Sequence, residues 1–197
     1  MDYLELAAAR NSCRKYTAEQ ITESDLEKII LAANAAPIGS SRFQDIHLTV
    51  VQNREVLDKL AEAVWARFAD RETIKKIIGD VQGKEIPTRG KQDPFYGAPT
   101  VIFISHKEQD LQPGIEFSNA ACVAYSMHLE ATQLGLGSVF MWGSLEAARV
   151  LPEHDNTAVL QAPPGFKPLL GLAIGHRAVE GKTKTLTNTK MTMNRIS

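Results

Sequence analysis

The chain has 197 residues, 44% of them hydrophobic and 23% charged, enough apolar material for one sizeable core. Lysine and arginine number 22 against 23 aspartates and glutamates, a formal net charge of -1 that gives no support for nucleic-acid binding. Two isolated cysteines, Cys13 and Cys122, form neither a C-x-x-C pair nor a zinc pattern and fit a reducing cytoplasm better than a disulfide scaffold. The opening Met1-Asp2-Tyr3-Leu4-Glu5 is acidic where a secretory signal would be basic, and no run of about 18 apolar residues exists, so a cytoplasmic protein without membrane spans is expected.

In chain order, a first helix is expected ahead of Arg10. Thr22 and Asp25 make a capping-box-like start, and Leu26, Ile29, Ile30 and Ala33 then recur at helical spacing until near Pro37. Ile46 to Val51 is short and β-branched, the pattern of a strand. Helical spacing returns at Val56, Leu57, Leu60, Ala61, Val64, Trp65 and Phe68. The stretch near 70–95 is polar and broken by Gly79, Gly83, Pro87 and Gly90, which reads as an excursion from the core. Thr100 to Ser105 reads as a buried strand. Ile115 to Leu134 is rich in alanine and poor in charge; a helix apolar around much of its circumference belongs in a core or a subunit interface. Gly135-Leu136-Gly137 ends it, Ser138 to Trp142 reads as the next strand, and Leu145 to Leu151 as a short helix. Pro163-Pro164-Gly165 marks a loop before a strand at Leu169 to Ile174, and a polar, basic tail occupies 180–197. Strands and helices alternate without regular βαβ spacing, so an α+β fold is expected, with 1–197 as one domain.

The segment Arg10-Asn11-Ser12-Cys13-Arg14-Lys15-Tyr16 carries the clearest chemistry. Two guanidinium forks and a hydroxyl this close suit a phosphate monoester, although from spacing alone a solvated basic turn is the commoner meaning. Pro37-Ile38-Gly39-Ser40-Ser41 is a small-residue turn whose backbone could approach a flat ring. Gly135-x-Gly137 follows a helix rather than a strand, so it is a helix stop and not a dinucleotide fingerprint. No triad and no metal cluster emerges: the serines lack a G-x-S-x-G context and the five histidines are scattered. His47 reads as a packed strand residue, Cys122 as inert core, and a reactive thiol at Cys13 lacks a nearby base.

Together these segments resemble a known family. Arg10-x-Ser12-x-Arg14-x-Tyr16 looks like the R-x-S-x-R-x-F/Y opening of FMN-dependent nitroreductases, and Ala36-Pro37 with its turn comes where that family has its second flavin loop. Gly97-Ala98-Pro99-Thr100-Val101-Ile102, the run from Asn119 through Gly137-Ser138, and Leu170-Gly171-Leu172-Ala173-Ile174-Gly175-His176 are similar to the family's core strands and long helix, in the same order. Two stretches depart from it. Where many members carry an Asn-x-Gln-Pro-Trp run this chain reads Ser41-Arg42-Phe43-Gln44-Asp45, and the tail lacks a clear basic-x-Arg motif.

The resemblance implies a three-layer α+β fold, with a mixed, mainly antiparallel sheet flanked by helices, in an intertwined homodimer. It implies non-covalently bound FMN at the dimer interface. Arg10, Ser12 and Arg14 would hold the phosphate and part of the ring edge, with Asn11 beside them and Lys184 completing the site. Pro37, Ile38 and Gly39 would come from the other subunit, and Met141, Trp142 and Gly143 would run along the opposite side of the ring. No side chain is needed as a catalytic group, since the flavin carries the chemistry. The implied activity is an NAD(P)H oxidoreductase, a nitroreductase-like flavoprotein passing hydride by a ping-pong cycle to nitroaromatic, quinone or related small oxidants. A flavin-binding protein of structural, sensing or flavin-modifying duty is the alternative.

Overall fold

The computed structural model describes residues 2–62, 64–65, 83, 93–109, 112–141 and 159–196. Helix α1 (Tyr3–Ala9) is opened by a capping box in which Asp2 accepts from the Glu5 amide and Glu5 reaches back to the Asp2 amide. Helix α2 (Glu23–Asn34) starts where the sequence places it: the Thr22 side chain accepts from Asp25 N–H, and Leu26, Ile29 and Ala33 form its buried stripe. Residues 54–62 and 64–65 are helical (α3), and α4 (Ile115–Gln133) is the longest described helix.

The strands are β1 (Ile46–Val51), β2 (Thr100–Lys107), β3 (Gly137–Phe140) and β4 (Phe166–Gly175). They form one sheet in the order β1-β2-β4-β3, with every named pairing antiparallel. Among the described residues, parallel pairing is confined to an isolated bridge between Ser12 and Ser138. Ile102 sits opposite Val50 on one side and Leu172 on the other, so the middle of β2 is also the middle of the core. Alternate β2 side chains face opposite ways. His106 meets Asn119 of α4, whereas Phe103 meets the Phe95 ring edge-on on the other face. Helix α4 lies across β2, β3 and β4 and packs on α2. The expected α+β class is what is observed.

Several expected boundaries move. β2 runs two residues beyond Ser105 and β4 starts at Phe166, because both continue as partners across a register shift at Ile104/Ser105. The helix stop is a Schellman motif: Leu136 N–H bonds the Ala131 carbonyl, Gly135 N–H bonds that of Thr132, and Gly135 holds a left-handed φ of 76°. Helix α4 buries Ala120, Val123, Ala124, Met127 and Ala131, while Tyr125 is 37% exposed. The expected helix at 145–151 and nearly all of the 70–92 stretch lie outside the described residues. Among the described residues no helix is long and apolar enough to cross a membrane.

Candidate functional site

The Arg10–Tyr16 segment leaves α1 and runs along the sheet edge. Ser12 bridges Ser138 of β3, Cys13 N–H bonds the Ser138 carbonyl at 3.0 Å, and Tyr16 bridges Arg177 beyond β4. Along extended backbone, side chains alternate between two sides with a period of two. Arg10, Ser12 and Arg14 therefore face one cleft, of about 440 Å³, which Lys184, His128, Tyr125 and Phe140 also line. The intervening residues turn away. Cys13 is buried and its thiol donates to the Lys15 carbonyl; Asn11 donates to the Ala9 carbonyl and accepts from Arg177 at 2.8 Å. Asn11, expected beside the phosphate, thus does not join the cleft.

Lys184 arrives from the tail. Its backbone N–H bonds the Ala8 carbonyl at 2.9 Å, satisfying one of the carbonyls that the end of α1 leaves open. Gly181 lets the tail pass over Asn11, since a Cβ there would overlap the Asn11 amide. Arg14 lies over the Tyr96 ring, 6.0 Å from its centre.

His128 is the cleft residue that pattern reading missed. It is 2% exposed on the inner face of α4, and its Nε2 accepts from the Arg10 guanidinium at 2.8 Å. Its Nδ1–H then points at the Ser138 hydroxyl, with which it makes a short hydrogen bond. Burial, followed by repulsion from Arg10, Arg177 and Lys184, pushes its pKa from 6.5 down to about 3. The ring is therefore neutral near pH 7, free to hold Arg10 as an acceptor. Burial and then the charges of Arg10 and Lys190 lower the Lys184 ammonium. A histidine on the apolar side of a helix was the available signal, but it does not say which cation comes to meet it. Among the described residues the cleft carries three cations and no carboxylate, a lining that attracts anions.

Pro37, Ile38 and Gly39 lie elsewhere in the chain. Gly39 and Ser40 border a separate cleft of about 200 Å³, with Arg42, Asp45, His106 and Asn119. Among the described residues, Gly39 and the expected phosphate contacts border different clefts of one chain. Met141 is 3% exposed: its amide pairs with the Gly171 carbonyl, and its side chain packs on Gly171. Trp142 and Gly143 lie outside the described residues. Among the described residues, no three His, Cys, Asp or Glu side chains are placed to share a metal ion. His47 packs edge-on against Phe166, as expected of a strand residue, while Cys122 is half-buried rather than core.

Residues 7–176 match the model of the nitroreductase family. An Archaeoglobus fulgidus protein, provisionally named an NADH dehydrogenase/NAD(P)H nitroreductase, is 42% identical over 70% of this chain. One of the same name from Methanothermobacter thermautotrophicus is 30% identical over 54% of it. The chain spans 66% and 56% of the length of these two relatives. A Bacteroides fragilis nitroreductase solved with bound FMN superposes with a TM-score of 0.78 at 27% identity, covering 99% of this chain and 100% of its own. A Desulfitobacterium hafniense nitroreductase gives the same TM-score at 24% identity, over 98% and 97% of the two chains, and supports the fold. With most of its length matched by the family model and its fold shared with these structures, the chain belongs to the nitroreductase family.

Proposed function

We propose that the protein binds FMN non-covalently and works as a homodimeric NAD(P)H oxidoreductase, reducing nitroaromatic, quinone or related small oxidants. The observation that carries this reading is the alternation along Arg10–Arg14, which turns two guanidinium groups and a hydroxyl into one cleft that Lys184 also enters. This donor set fits a phosphate monoester: guanidinium forks grip oxygen pairs, the Ser12 hydroxyl adds a donor, and Lys184 supplies a point charge. The cleft volume is also of the size that small-molecule sites occupy. Further support comes from the FMN held by the Bacteroides fragilis relative and from the NAD(P)H nitroreductase names of the archaeal ones.

Bound FMN would supply the hydride chemistry, and the two substrates would use one ring face in turn, a ping-pong sequence. The chain's part is to bind and to stabilise charge. Arg10, held by His128, and Arg14, held over Tyr96, offer fixed cations to the negative charge that reduction adds. Because Gly39 lies on a different cleft from Arg10, the reading assigns Pro37, Ile38 and Gly39 to the ring bound by a second copy of the chain. Trp142 and Gly143 are proposed for its opposite side. The homodimer is further supported by apolar surface in the tail, where Met191, Met193 and Ile196 are 84%, 84% and 97% exposed in one chain. Residues 1–197 are proposed as one domain with that tail as its arm.

The test is the absorption spectrum of the purified protein before and after heat denaturation. Two flavin bands, with FMN released into solution, are expected. A colourless protein that also fails to take up added FMN refutes the proposal.

A further inference from the structure

Behind the Pro37–Ser41 turn runs a buried chain of hydrogen bonds. It begins in β2, where His106, 2% exposed, donates from Nδ1 to the Lys107 carbonyl at 2.6 Å. Asn119 of α4, 4% exposed, faces Nε2 of the same ring at 3.1 Å, and its Oδ1 accepts from Gly39 N–H at 3.0 Å. Only one arrangement of protons satisfies all three links. A carbonyl only accepts, so Nδ1 carries the proton and Nε2 of the neutral ring is an acceptor. The Asn119 amide must then give its NH₂ to the ring, which leaves its oxygen for the turn. A flipped amide would set acceptor against acceptor at His106 and donor against donor at Gly39.

The turn has reason to be tied down. Ser40 and Ser41 both hold left-handed backbone, with φ of 55° and 53°, a conformation that costs non-glycine residues energy. Gly39 is pressed against α4, where an added Cβ would overlap the Ile115 side chain. The far end is anchored by buried Asp45, which accepts from Arg42 Nε at 2.6 Å and from Gln109 at 3.3 Å.

We infer that His106 and Asn119 are positioning residues that set the Ile38–Gly39 backbone through this relay, and with it one border of the flavin pocket. The inference rests on the proposed assignment of that turn to the flavin ring. His106 defines the direction in which Asn119 points, and Asn119 holds the turn against its own strain.

The test uses Asn119→Leu, which removes both links; His106→Phe, which removes the upstream one; and Asn119→Asp, which keeps an acceptor for Gly39. Hydrogen exchange of the 38–41 amides is measured in the FMN-free full chain, together with thermal melts. FMN titrations then give the dissociation constant and the visible band shape. In Asn119→Leu and His106→Phe, exchange at the turn should rise by roughly ten-fold, the scale of one lost buried hydrogen bond. FMN affinity should fall by a similar factor with a changed band shape, and Asn119→Asp, which keeps the Gly39 link but loses the one to His106, should behave as His106→Phe does. Unchanged exchange in Asn119→Leu overturns the relay. Faster exchange with an unaltered flavin spectrum and affinity overturns the positioning role. If the leucine and phenylalanine variants do not fold, the ¹⁵N spectrum of the wild-type imidazoles decides: a proton on Nε2 of His106 overturns the relay, and one on Nδ1 supports it. A wild-type protein that takes up no FMN refutes the functional reading and the flavin role together, while the exchange comparison still decides whether the relay holds the turn.

Discussion

Replacing His128 with leucine alters how the stability of the protein depends on acid, and the size of the change follows from the cleft. In the folded chain burial and the charges of Arg10, Arg177 and Lys184 hold the imidazole near a pKa of about 3, against 6.5 for an unperturbed ring. Below pH 6.5 the unfolded chain takes up a proton that the folded one refuses until near pH 3. The stability associated with the neutral ring is therefore complete above pH 6.5 and is lost as the pH falls towards 3. Each unit costs about 1.4 kcal/mol, so about 2 kcal/mol should disappear between pH 7.5 and pH 5. His128→Leu lacks this dependence but starts lower, because the Arg10 guanidinium and the Ser138 hydroxyl each lose a partner, at about 1–3 kcal/mol. The stability gap between the two proteins should thus narrow by about 2 kcal/mol over that range. Urea unfolding followed by circular dichroism, at one protein concentration and in phosphate-free buffer, measures it. Parallel pH curves for the two proteins would refute the reasoning, as would an NMR titration of wild-type His128 with a midpoint near 6.5.

Other expectations follow from the same geometry. Arg10→Ala and Arg14→Ala should each weaken FMN binding by roughly ten- to a hundred-fold, the scale of one charge-assisted phosphate contact, with Lys184→Ala lower in that range; fluorescence titration reads this out. Normal affinity in both arginine variants would show that the phosphate lies elsewhere. Gly137→Ala would place a Cβ 2.6 Å from the Cys13 sulfur and 2.9 Å from Arg177 Cγ, against a sheet edge with little room to yield. A loss of about 1–3 kcal/mol is expected, seen as a lower melting temperature with unchanged far-ultraviolet dichroism. Initial rates with NADH or NADPH and a quinone should give parallel double-reciprocal lines, and intersecting lines would remove the ping-pong sequence.

The amino-acid order alone determined the elements whose causes are local. Thr22 and Asp25 start α2, the β-branched run makes Ile46–Val51 a strand, and Gly135 stops α4, because caps, periodicity and left-handed glycine act within a few residues. The Arg10-x-Ser12-x-Arg14 spacing was visible too, and the folded chain lines one cleft with these three residues and Lys184. What the order could not express was direction and company. Asn11 stands among the phosphate candidates in sequence, yet the two-residue alternation of extended chain turns it to Arg177. His128 and His106 look alike as lone histidines, but one meets Arg10 from 118 residues away and the other meets Asn119 from 13. Those partners are chosen only when α4 lies down on the sheet. Packing decides which buried polar groups face each other, and that meeting settles proton positions, charge states and the anchoring of the turn.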